Sequence, residues 1–321
     1  MNTNRSAAWA LAGVAVGFGL PVVALIGLIL ALGFSAAQLT GDAVPAAARY
    51  TQIAGPESGP AVAVLDVAGP VVSGSTSPFE TRAVAASGDL VPLIRRAAGN
   101  PDVAVLVLRL NSPGGSVVGA DEIYHALRQT QKPVVAFLQE VAASGAYYIS
   151  MAAEHIVANP NSLTGSIGVI GQFPNAEALM EKIGVQVTTI KSGKAKDIGN
   201  PFRAMSDEEQ AIFQDIVDET YGRFVDVVAR GRNLPEAQVR ELADGRIYTG
   251  QKALELGLVD ALGYQQDAID AAVRLGGIDG EARVLHYRRR GSFLDLIGGA
   301  ASPHRWLRRL MAPSLEYRWE P

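Results

Sequence analysis

Apolar positions along the chain fall into three regimes. Between Arg5 and Asp42 there is no charged residue, and residues 7–37 are almost wholly apolar, more than the roughly 20 residues that span a bilayer core. The pattern predicts one transmembrane helix over residues 1–41, interrupted at Gly19 and Pro21, a break that membrane helices tolerate because their surroundings re-satisfy the freed backbone groups. A secretory signal has an apolar stretch of only about 7–15 residues, so the segment reads as an uncleaved anchor. Arg5 before the span, with Asp42 and Arg49 after it, favours an N-terminus in the cytoplasm and the body outside. Cleavage near Phe34–Ala37 is the competing reading.

Residues 42–60 contain a stretch rich in Gly, Pro and polar residues, the composition of a linker. After it, short apolar runs alternate with amphipathic stretches. Ala61–Val67, Val103–Leu110, Val134–Leu138 and Val185–Ile190 read as buried strands, Val-rich and bounded by turn formers. Helices are predicted over Asp89–Ala98, Gly119–Gln129, Ser144–Ala153 and Ala176–Ile183. Ser206 followed by Glu209 has the capping-box pattern and opens a long helix ending near Gly231. Shorter helices follow over Pro235–Leu242 and Gln265–Leu275. Strand–helix alternation of this kind implies an α/β fold around a largely parallel sheet with right-handed crossovers.

Composition sharpens this picture. The chain of 321 residues is 48% hydrophobic and 19% charged, the balance of a globular protein, and the anchor accounts for its mean hydropathy of +0.16. The net charge of −4 conceals a division: residues 281–321 hold eight Arg against four acids. The remainder is therefore acidic, which argues against nucleic-acid binding, since phosphate neutralisation needs clustered cations. The basic tail mixes Arg with Trp, Leu and Phe, as segments resting on anionic lipid do. No cysteine is present, which excludes disulfides, thiolate metal sites and a Cys nucleophile. No metal or organic cofactor is implied.

Three segments carry candidate chemistry. Arg109–Ser116 (RLNSPGGS) follows a strand and places Gly114 and Gly115 at a turn, where backbone N–H groups can face an anion with no Cβ in the way. Val141–Tyr148 (VAASGAYY) sets Ser144 among small residues at a helix start, with room for a substrate carbonyl. Lys191, Lys194 and Lys196 lie on a Gly-containing loop. Taken singly, each segment reads as a turn, a small-residue packing contact or a solvated surface.

As an ordered set they resemble the signal peptide peptidase A family of membrane-bound serine proteases. The likeness runs over about residues 61–275, through RLNSPGGS, AASGAYYISMAA (142–153), LTGSIGVIG (163–171), IKSGKAKDIGNPFR (190–203) and ADGRIYTGQKALELGLVDALG (243–263). The resemblance implies the spiral of strand–helix units of the Clp protease and crotonase fold, with residues 61–280 as the peptidase domain and 281–321 as the tail. It implies Ser144 as nucleophile and Lys196 as general base, Gly114 and Gly145 as oxyanion-hole donors, and Ser166 as the residue that orients the lysine. It further implies hydrophobic peptide substrates, signal-peptide remnants among them, a bacterial inner-membrane location with the catalytic domain outside, and a homo-oligomer, because short members of the family assemble the dyad between subunits. An inactive membrane scaffold and a crotonase-like acyl-CoA enzyme are the competing classes.

The chemistry agrees with that assignment. A serine hydroxyl needs an adjacent base, and Ser–Lys pairs are a known variant of the triad. Lysine serves only when neutral, so its pKa must fall by desolvation. Asp197, next in the chain, is therefore expected to point away from the Lys196 ammonium. The four histidines lie at 125, 155, 286 and 304, and Val169 stands where a Clp-type protease would carry its histidine base.

Overall fold

The computed structural model describes residues 50–76 and 83–288, together with the backbone of 314–318. The predicted anchor and most of the basic tail lie outside the described residues. Among the described residues, no helix is long and apolar enough to cross a membrane.

The body is built on one large sheet. Its main path runs β1 (Tyr50–Ala54), β13 (Arg283–Tyr287), β2 (Ala61–Ala68), β5 (Val103–Ser112), β7 (Val134–Ala143), β8 (His155–Ala158) and β12 (Ala261–Leu262). From β13 to β12 every pairing is parallel, as strand–helix alternation requires. β9 (Leu163–Gly165) continues from the far end of β7, and β11 (Ile247–Thr249) pairs with β9. β1 falls in the segment read as linker, and β13 in the segment read as tail.

Period-2 patterning explains how the sheet is covered. Along β5, Leu106, Leu108 and Leu110 enter one core cluster while Val105 and Val107 enter the other. The Leu face is covered by α1 (Ser87–Gly99), α2 (Val117–Arg128), α3 (Gly145–Ser150) and part of α5 (Asp207–Arg232). The Val face is covered by Ala268, Ile269, Ala271 and Ala272 of α8 (Gln265–Leu275). Burial on both faces is the reason that the strands read as continuous apolar runs instead of alternating ones.

Helix boundaries follow local chemistry. α5 begins after Ser206, whose Oγ accepts from Glu209 N at 3.3 Å while Glu209 Oε2 accepts from Ser206 N at 3.0 Å, the reciprocal pair predicted from sequence. α4 (Glu177–Lys182), α6 (Glu236–Leu242) and α7 (Gly250–Glu255) complete the described helices.

A second, smaller sheet contains β10 (Ile170–Gln172), β14 (Ser314–Arg318), β6 (Gly114–Ser116), β3 (Val71–Val72) and β4 (Ala85–Ala86), in that order. β14 runs antiparallel to both β6 and β10. The strand expected over Val185–Ile190 does not form. Among the described residues no strand pairs with them, and Ile190 is 96% exposed, so the β-prone run lacks a described pairing partner that would fix it.

Candidate active site

Ser144 stands where the central strand β7 ends and α3 begins. It is 1% exposed, with φ 54° and ψ −119°. A non-glycine residue rarely holds a positive φ, and doing so costs on the order of 1–3 kcal/mol unless the surroundings enforce it.

Here the surroundings do enforce it. Ser144 N donates to Gly165 O at 2.8 Å, and Tyr148 N donates to Ser144 O at 2.8 Å. Two and three residues before the serine, Thr164 Oγ1 donates to Ala142 O at 2.7 Å, and Val141 N donates to Asn111 Oδ1 at 3.2 Å. The serine is thus held by residues of three sequence motifs, brought together by the β5–β7 and β7–β9 pairings. Asn111 and Thr164 were not singled out in the sequence, although both lie within quoted motifs. Their chemistry, a side chain bonding a neighbouring backbone, has no periodic signature.

Gly114 and Gly145 flank the serine differently. Gly145 is the first residue of α3, where a backbone N–H has no partner inside the helix. Gly114 N donates to Ser112 Oγ at 3.1 Å, so its donor is engaged in this structure. The turn itself requires glycine: φ is 92° at Gly114 and 147° at Gly115, and a Cβ on Gly115 would come within 2.2 Å of Val71 O.

Ser166 also has a positive φ, 48°, and its N–H donates to Arg246 O at 2.8 Å. It borders a cavity of about 430 Å³ lined further by Val169, Ile170, Val217 and Tyr221. The lining joins these apolar side chains to Ser166 and to the acidic residues Asp218 and Asp244.

Lys196 is not buried with this cluster. It occupies a 3₁₀ turn, Lys194–Asp197, in which no residue is buried, and its own side chain is exposed. Among the described residues no hydrogen bond joins Lys196 to Ser144 or Ser166. Asp197 turns away from it: its carboxylate pairs with Lys191 and, at 2.9 Å, with Arg203 Nε. Hydrogen bonds from Arg203, then from Lys191, hold that carboxyl well below the usual range.

Residues 126–279 match the family model described as Peptidase family S49. The chain is 51% identical over 176 residues to a candidate protease of Synechocystis sp., covering 54% of this chain and 64% of that protein. It is 42% identical over 205 residues to a candidate signal peptide peptidase SppA of Enterococcus faecium, covering 63% of this chain and 57% of the relative. It is 37% identical over 207 residues to Protease 4 of Salmonella typhi, covering 64% of this chain and 33% of the relative. The matched region thus spans less than two thirds of the length of each of these relatives.

Proposed function

We propose, on the match of residues 126–279 to peptidase family S49, that the chain is a serine endopeptidase of the signal peptide peptidase A type, with Ser144 as nucleophile and Lys196 as base. The observation that carries this reading is the strained, buried elbow at Ser144. Strain that several motifs jointly enforce is what a preorganised nucleophile requires.

In the proposed reaction, neutral Lys196 Nζ takes the proton of Ser144 Oγ as the oxygen attacks a peptide carbonyl carbon. The resulting oxyanion rests on the N–H groups of Gly145 and Gly114, the latter exchanging its bond to Ser112 Oγ for the new charge. Such donors are each worth roughly 10²–10³ in rate. The lysine ammonium then gives its proton to the departing amine as the C–N bond breaks, leaving an ester on Ser144. Water, deprotonated by the same lysine, attacks the ester, and the acid product leaves as Ser144 regains its proton. Ser166 orients the lysine.

The substrate class is extended hydrophobic peptides, with remnant signal peptides as the natural source. The cavity beside Ser166 supports an apolar side chain at the cleavage site. The antiparallel seating of β14 between β6 and β10 supports main-chain pairing as the way a peptide is held.

The dyad is proposed to close between copies of the chain. A lysine base must lose its water, and Lys196 is exposed in the single chain. The segment around it exposes Leu179, Ile183, Val185, Val187 and Ile190, apolar surface that a second copy would cover. The proposed organisation is an anchor over 1–41, a linker that ends where β1 begins, a Clp protease/crotonase-like peptidase domain over 61–280 whose sheet also takes in β1 and β13, and a basic tail beyond β13. The catalytic side then faces outward from a bacterial inner membrane. Hydrolysis of an unstructured hydrophobic peptide by the full chain in detergent tests the reading. Ser144→Ala and Lys196→Met are each expected to lose on the order of 10⁴-fold in kcat/KM; hydrolysis that survives both substitutions overturns it.

A further inference from the structure

The proposed base sits on the least supported part of the site. Residues 185–193 contain no regular structure, and the turn that carries Lys196 closes on itself through local bonds, Lys196 N to Gly193 O and Ile198 N to Ala195 O, both 3.1 Å. Local bonds fix the shape of a turn but not its place on the body.

Beside the exposed Lys194–Glu208 pair at 3.6 Å, one side chain makes the close tie to the body. Arg203 Nε donates to Asp197 Oδ2 at 2.9 Å, and Nη2 donates to the Asp197 main-chain oxygen at 3.1 Å. The guanidinium therefore grips both the side chain and the carbonyl of the residue that follows Lys196. It also meets Glu209 in a fork, Nη1 to Oε2 at 2.8 Å and Nη2 to Oε1 at 2.5 Å, the bidentate geometry that a single ammonium cannot reproduce. Glu209 is 6% exposed and is the capping-box residue of α5. Later turns of that helix bury Phe224, Val225, Val227 and Val228 in the core. A continuous connection thus runs from the core through α5, Glu209 and Arg203 to the turn of Lys196.

We propose that Arg203 is the positioning residue for Lys196: it ties the lysine's turn to α5 and keeps the Asp197 carboxylate off the lysine ammonium. The inference rests on the Ser144–Lys196 reading above. The charged groups around the turn are Lys191 and Arg203 on Asp197, Glu209 on Arg203, and the exposed Lys194–Glu208 pair at 3.6 Å. Loss of Arg203 would thus leave Asp197, the carboxylate adjoining Lys196, held by Lys191 alone. Hydrogen bonds from Arg203 are the first cause of the depressed carboxyls at both Asp197 and Glu209, the latter pushed down to about 2.

The test is the pH profile of kcat/KM for peptide hydrolysis by the full chain in detergent, in Arg203→Met, Arg203→Lys and Arg203→Met/Asp197→Asn. Arg203→Met is expected to lose about tenfold at neutral pH, with the acidic limb moving up by about one unit, the scale of a newly available carboxylate partner. Arg203→Lys moves the limb the same way by less. Removing the carboxylate in Arg203→Met/Asp197→Asn returns the limb to its original place while the rate stays low. A limb that stays put in both single variants, whether or not the rate falls, overturns the inference. Its failure is distinct from failure of the dyad reading, which would appear as activity surviving Ser144→Ala and Lys196→Met.

Discussion

The two halves of the proposed dyad are built in opposite ways. Ser144 is buried at the end of the central strand and held by Gly165, Tyr148 and, through its neighbours, Thr164 and Asn111. Lys196 is exposed on a short turn whose tie to the body passes through the Arg203 fork. The proposed nucleophile is thus positioned by the fold itself, whereas the proposed base sits on an exposed turn. A hydroxyl works in a fixed pocket, but a lysine has to be desolvated to work at all. That difference in chemistry matches the difference in support.

Changes beneath the serine should cost the most stability. Leu108→Ala, in the fully buried middle of β5, is expected to lose about 2–5 kcal/mol in thermal unfolding. Ser144→Gly should act in the opposite direction, because glycine accepts φ 54° without strain. Stability is expected to rise by about 1 kcal/mol while hydrolysis is lost. An unchanged or lower melting temperature would mean that the elbow stores no strain. On the lysine side, Lys196→Met removes an exposed group and is expected to alter stability by less than about 0.5 kcal/mol, while abolishing hydrolysis. A large stability loss there would erase the contrast between the two halves.

The smallest effect is a pH dependence of the lysine segment. Glu209 has its pKa pushed down to about 2, chiefly by hydrogen bonds from Arg203, from an ordinary value of 4.5. A carboxyl whose folded pKa is depressed contributes stability above its unfolded value and loses it as pH falls through the folded one. Protection from hydrogen exchange across residues 191–205, taken relative to the intrinsic rate at each pH, is therefore expected to stay flat from neutral pH to about 4.5 and to fall only below it. A loosening that begins near neutral pH would show that Arg203 and Glu209 do not hold the turn.

Much of this was legible in the sequence. β2, β5 and β7 announce themselves as Val- and Leu-rich runs, and α5 by its capping box, because burial on both faces and reciprocal capping each leave a local signature. Strands of two or three residues, such as β3, β6 and β9, carry no periodicity and are defined only by their neighbours. Val185–Ile190 has β propensity but no partner strand among the described residues, so propensity and outcome part company there. The positive φ of Ser144 is written in no residue type: it arises where β9 and Asn111 converge on the end of β7. The pairing of Arg203 with Glu209 was likewise silent, although Glu209 is legible as the capping-box residue, since an ion fork six residues apart depends on how the turn folds back on the helix.

The central claim is that Ser144 is a nucleophile made reactive by Lys196. The most direct measurement is mass spectrometry of the full chain after treatment with a fluorophosphonate, an electrophile that phosphonylates activated serines. The account predicts a single adduct on Ser144, lost in Lys196→Met and regained when Lys196→Met is mixed with Ser144→Ala, whose intact lysine completes the partner's site. An adduct elsewhere, or labelling of Ser144 at full rate in Lys196→Met alone, would contradict it.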